Sequence, residues 1–187
     1  MNEGHLIRAA KELAEAMNRV ANDNLPTQLA GIVKLHAGLA VGSALIPIPG
    51  ADMAAAAINI WTMYVRINKE LGLPFGDNVM KSLAAGVATN LAGGLAGAVV
   101  VGSALKLLPG IGTVGGAVLM GGMTYAITIA SGIVYMKAIT KLLRRDVSVA
   151  GATEADLKAA TDEVMKDKSA INSILKDAKQ SYKDTKR

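Results

Sequence analysis

One stretch of this chain matches a nucleotide-handling motif letter for letter. "GIGTVG", Gly110 to Gly115, has the glycine spacing that turns a strand into a helix beneath a pyrophosphate. That chemistry needs a strand before the glycines, a helix after them and an acid about 20 residues further on. Here an apolar run and Pro109 come first, and the next acid is Asp146. The stretch therefore reads as a turn. No Gly-rich loop ending in Gly-Lys-Ser/Thr occurs, so the chain is not a P-loop NTPase by itself. His5 and His36 have no carboxylate or hydroxyl partner at useful spacing, which favours structural or interfacial roles over catalysis. There is no cysteine, which excludes disulfides, thiol catalysis and Cys-ligated metal.

Asp52 is the one acid between Asp23 and Glu70, and apolar sequence surrounds it. Directly after Pro49-Gly50 it suits the start of a helix, where the backbone dipole favours a negative charge. A lone acid at membrane depth is the sharper alternative. No spacing brings two candidate catalytic side chains together, so the expectation is a non-enzyme with no cofactor and no metal. Nucleic-acid binding is also disfavoured, because the basic residues lack interleaved aromatics.

The elements around these residues are helical by pattern. Leu6, Ala10, Leu13, Met17 and Val20 recur at three- and four-residue steps among Arg8, Lys11, Glu12, Glu15 and Arg19. This predicts an amphipathic helix over residues 1–25, and its charges argue against a secretory signal. "NDNLP" breaks it, and Pro26 suits the first position of a second helix running to about Ile46. Pro47 and Pro49 stop that helix, and a third is expected from Asp52 to Leu71. "GLPFGD", residues 72–77, is the next break.

From Ser82 to Leu105 and again from Leu107 to Met136 the chain carries no charge. The first of these runs alone would span about 36 Å as a helix, enough to cross hydrocarbon. Gly86, Asn90, Gly94 and Ala98 step by four, as do Gly93 and Gly97. Gly112, Gly116, Thr124, Thr128 and Gly132 share a face on the second run, interrupted by Met120. With aromatics at only 3% of residues, small side chains must do the packing, as they do between membrane helices. Of the formal net charge of +5, +3 comes from Lys137, Lys141, Arg144 and Arg145 less Asp146, a patch set to meet anionic headgroups or simply to end a helix favourably. Arg66, Lys69 and Lys81 flank the other end, so both outer ends are expected on the cytoplasmic side.

"VGSALIPIPG", residues 41–50, returns as "VGSALKLLPG", residues 101–110, with seven of ten positions identical. The repeat predicts an all-α fold of two tandem helical hairpins turned at Pro-Gly, the second a transmembrane hairpin. Three segments follow: 1–25, a hydrophobic helical region over 26–145, and a charged helical tail over 146–187. In the tail Thr153 and Asp156 suit a capping box, and Leu157, Val164, Ile171 and Ala178 are spaced by sevens. That spacing fits a buried helix stripe or a coiled coil.

"LIPIPGADM" (45–53), "MYVRINKELGLPFGDN" (63–78) and "LKLLPGIGTVGGAVLMGGMTYAI" (105–127), with Tyr135 beyond, resemble the YcjF-type domain of unknown function. The resemblance covers residues 35–140. It implies a bacterial, helical, membrane-associated protein working beside or within Era-like GTPases in envelope or stress roles. It places Pro49, Gly50 and Asp52 on the family's first turn and Pro109, Gly110, Gly112 and Thr113 on its second. No GTPase domain is present, so such a partner would act in trans. The expected function is an adaptor or assembly module in the bacterial inner membrane, with lipid as its first partner. The alternatives are a pore-forming protein that inserts its glycine-rich hairpin, and a soluble structural bundle that hides apolar helices in a homo-oligomer.

Overall fold

The computed structural model describes residues 3–43, 51–101, 114–144 and 151–167. Within them the chain is all-helical. The helices are α1 (Glu3–Asn24), α2 (Thr27–Ser43), α3 (Ala51–Leu71), α4 (Asp77–Val101), α5 (Val114–Leu143) and α6 (Glu154–Lys166). The Pro-Gly turns at Pro49-Gly50 and Pro109-Gly110 lie outside the described residues, so the turns that would define the two hairpins do too.

Helix α5 is the centre of the bundle and packs against each of the other five helices. From Thr124 to Tyr135 every side chain is buried, with Thr128, Ile129, Ser131, Val134 and Tyr135 at zero to the nearest per cent. An uncharged helix rich in Gly, Ala and Thr permits this, because neighbours can close on all its faces.

The widest interface is with α1. The apolar stripe of α1 ends in Met17 and Val20, both fully covered, while Lys11 and Glu15 form an exposed pair on its outer side. Burying two such side chains contributes about 1.5–3 kcal/mol each. That matters for a helix whose charged composition gives it little stability alone. Tyr125 completes the joint by donating to Asn18 Oδ1 at 2.5 Å.

Pro26 accepts the first bond of α2 from Ala30 N, at 2.8 Å, and so sits one residue ahead of the first-turn position the sequence suggests. Helix α2 crosses α5 in the opposite sense, since Val33 lies over Gly132 and Val41 over Gly121.

Helix α3 ends in a Schellman turn: Gly72 has φ +62°, Gly72 N donates to Lys69 O, and Leu73 N donates to Asn68 O. Only a residue without Cβ takes that conformation cheaply, and Pro74 then prevents the helix from resuming.

At α6 the expected capping box is complete. Asp156 N donates to Thr153 Oγ1, and Thr153 N donates to Asp156 Oδ2. Leu157, Ala160 and Val164 of α6 are buried, and this helix packs chiefly on α5. The seven-residue spacing here is therefore a core stripe, and Ile171 and Ala178 lie outside the described residues.

Candidate functional site

Three groups of polar or exposed side chains stand apart from ordinary packing. The first is buried between α3, α4 and α5. The Tyr64 and Tyr135 rings stack with centroids 4.3 Å apart and planes 16° from parallel. Tyr64 donates to Ser131 O at 3.1 Å. The Tyr135 hydroxyl donates to Asn68 Oδ1 and lies 3.3 Å from Met80 Sδ, while Asn68 Nδ2 donates to Phe75 O. Burial pushes the Tyr64 hydroxyl well above the ordinary tyrosine range. Two buried, stacked tyrosines, each donating its hydroxyl to a different partner, tie α3 to α5.

The second group joins α2 to α3. Asn59 Nδ2 donates to His36 O at 2.8 Å, and Asn59 Oδ1 lies 3.2 Å from His36 Nδ1. Burial lowers the His36 pKa, and the charge of Arg66 adds to that, against the opposing hydrogen bonds from Asn59. Protons then bind the unfolded chain more readily than the folded one. This contribution to stability is complete above about pH 6.5 and is lost as pH falls through the lowered folded value. The midpoint of thermal unfolding should fall on acidification below pH about 6.5, and His36→Gln should flatten that fall. An unchanged pH profile in the variant would remove His36 as its source.

The third group is on the surface. Leu35 (47% exposed) and Leu39 (60%) lie one turn apart on α2, and Ile58 (55%) lies on α3. Half-buried Trp61 carries Lys81 Nζ 5.7 Å above its ring. Trp61 Nε1 itself is buried without a hydrogen-bond partner.

The residues singled out from sequence are dispersed among these. Asp52 is the second residue of α3; the surroundings of its side chain, and those of Gly93, Gly94, Gly97 and Gly116, are outside the description. Pro49, Gly50, Pro109, Gly110, Gly112, Thr113 and Arg145 lie outside the described residues altogether.

Thr124 and Thr128 are buried on α5, and Thr128 Oγ1 donates back to Thr124 O. Gly132 does make a close helix contact, but with Val33 of α2. On α4, Gly86 is open to solvent and exposed Asn90 donates only to Gly86 O, so this part of the α4 stripe is not a seam with α5. Lys141 forms a 2.6 Å ion pair with Glu163 of α6, Lys137 is partly buried and Arg144 is exposed. The basic cluster is thus partly engaged in binding α6. Among the described residues no group of three or more His, Cys, Asp or Glu side chains is arranged for a metal.

Sequence reasoning overlooked Gly121, whose added Cβ would lie 3.1 Å from Val41 Cγ1. It also overlooked the Tyr64–Tyr135–Asn68 cluster. The four-residue phase through Met120 obscured the glycine, and the tyrosines are too far apart in sequence for any spacing rule.

Fold and surface together define an all-α bundle with a mostly apolar central helix and exposed apolar side chains on α2 and α3. The chain is 31% identical over 106 residues to magnetosome membrane protein 22 of Magnetospirillum gryphiswaldense, a match covering 57% of this chain. It spans about half (54%) of that relative's length. No family model matches the chain. No solved structure matches it.

Proposed function

We propose that this chain is a non-enzymatic, membrane-associated helical protein serving as an adaptor or assembly module. The observation that carries the proposal is the segregation of charge along the helices. From Leu35 to Val65 the α2–α3 region has Asp52 as its one charged residue, and from Ser82 to Met136 the α4–α5 region has only Lys106. Lys81 lies in the first turns of α4 and Lys137 and Lys141 in the last turns of α5, while Arg66 lies in the last third of α3 and Lys34 at the middle of α2. The name of the relative, a magnetosome membrane protein, supports the same reading. So does Thr124–Leu143, a stretch long and apolar enough to cross a bilayer, although 72% of its most apolar window is buried in protein.

Within the proposal the bilayer is the bacterial inner membrane and both termini face the cytoplasm, following the basic residues. The YcjF-type resemblance adds a GTPase partner in trans, and α1 and α6 supply polar outer faces for docking it. Flotation of lysed bacterial cells tests the reading. The protein should rise with inner-membrane vesicles, and crosslinking in that fraction should capture the GTPase. Recovery in the soluble fractions overturns membrane association, and a membrane fraction with no crosslinked GTPase overturns the partner.

One observation favours a second reading, conditional insertion of α4 and α5 as a pore: amphipathic α1 and α6 sheath the apolar α5. It predicts dye release from anionic liposomes. Vesicles that bind the protein and keep their dye sink it.

A further inference from the structure

We infer that the outer face of the α2–α3 hairpin is the surface that docks on an anionic lipid bilayer. Leu35, Leu39 and Ile58 enter the boundary between headgroups and acyl chains, and Trp61 is held at headgroup level. This rests on the membrane reading above and gives it a surface. The obvious candidate for lipid contact, Thr124–Leu143 of α5, is already mostly enclosed by the other helices, so apolar area must be found elsewhere. Among the described residues the large apolar side chains most open to solvent are Leu39, Ile58, Leu143 and Leu35, and three of these four are on α2 and α3.

They belong to one patch. Residues one turn apart share a helix face, which aligns Leu35 with Leu39. The contact of His36 with Asn59, in helices joined by a short connection, sets Ile58 level with the stretch between them.

Charge says what covers the patch. Beyond Lys34 on α2, and before Arg66 on α3, Asp52 is the one charged side chain. On the other side of the patch, the cations of α2, α3 and α4 (Lys34, Arg66, Lys69 and Lys81) outnumber the acids of the same helices there, Glu70 and Asp77. An apolar face bordered on one side by cations suits an anionic membrane, with the cations among the phosphates and the leucines beneath them. Trp61 lies at the border, and tryptophan with an amphipathic lysine above it is the side-chain pair that favours this depth. From Lys34 to the end of α2 the rise is only about 14 Å, half a hydrocarbon core, so the hairpin dips into one leaflet and does not span.

Trp61 is the sole tryptophan of the chain, so its emission reports this surface alone. The test mixes full-length protein with phosphatidylethanolamine–phosphatidylglycerol vesicles and measures flotation. It then measures Trp61 emission with nitroxide placed either at the headgroup or near the acyl terminus. Flotation with loss of emission to the headgroup label, and little to the deep one, is the expected result. Flotation without quenching overturns the assigned surface while leaving membrane association standing; failure to float overturns both.

The double variant Leu39→Glu, Ile58→Glu changes exposed positions only and should keep its circular dichroism. Its vesicle binding should fall roughly tenfold or more. Lys137→Gln with Arg144→Gln should bind nearly as wild type. The reverse pattern moves the surface to the end of α5 and sinks the proposal.

Discussion

Gly132→Ala should destabilise the protein, although alanine is the better helix former. A Cβ at Gly132 would sit 2.6 Å from Val33 Cγ2, 2.9 Å from Val33 Cγ1 and 3.4 Å from its Cβ. Both methyls of one fully buried, β-branched residue are in the way, and valine on a helix has essentially one rotamer to offer. Relief must come from separating α2 and α5. Overpacking of this kind costs about 1–3 kcal/mol, against at most about 1 kcal/mol gained in helix propensity. The expected net loss for Gly132→Ala is about 1–2 kcal/mol, with Gly132→Leu worse or unfolded. Denaturant unfolding should also show that Val33→Ala rescues Gly132→Ala, with a coupling of about 1 kcal/mol or more.

Two internal comparisons sharpen the test. Gly121 meets one methyl of Val41 at 3.1 Å, so its alanine variant should be milder. Gly86 has nothing within 4 Å of an added Cβ, so Gly86→Ala should stabilise by up to about 1 kcal/mol. Equal stability of the Gly86 and Gly132 variants would contradict the close approach of α2 to α5.

This contact also marks where the sequence stops being informative. A four-residue rhythm of small side chains says that a helix face permits close approach, but not which helix approaches. Gly132 was legible as a packing glycine; its partner on α2, rather than α4, was not. The same limit applies to α5 as a whole. A long uncharged run looks identical whether lipid or protein excludes the water, and here the protein does so over most of Thr124–Leu143. What decides the matter is α1, whose Met17 and Val20 were readable as a stripe without any sign of what they cover. Features set by neighbours in sequence fared better. The break at "GLPFGD" and the Thr153–Asp156 box both depend on residues within one turn, and both are present. For the candidate surface, the uncharged runs were readable, but exposure of Leu35, Leu39 and Ile58 depends on how α2 and α3 roll on α5.

The second large effect is expected at Tyr135, where a single hydroxyl ties three helices. Its ring is fully buried against Tyr64, and its O–H donates to Asn68, whose own amide holds Phe75 O just past the Schellman turn. Tyr135→Ala removes the ring and leaves a cavity in the middle of the core, which should cost about 3–5 kcal/mol. Tyr135→Phe keeps the ring and the stack but leaves Asn68 Oδ1 facing a carbon in a dry site. A buried acceptor stripped of its donor costs about 1–3 kcal/mol, more than the bond itself was contributing. Asn68→Ala should cost as much or more, since it also frees the Phe75 carbonyl. The two losses should not add in the double variant, because both remove the same bond. Additive effects, or a Tyr135→Phe protein as stable as wild type by denaturant unfolding, would mean that the hydroxyl is not bonded to Asn68. Non-additivity would instead identify this buried bond as what fixes α5 against α3 and the start of α4, and so as part of what holds the α2–α3 face outward.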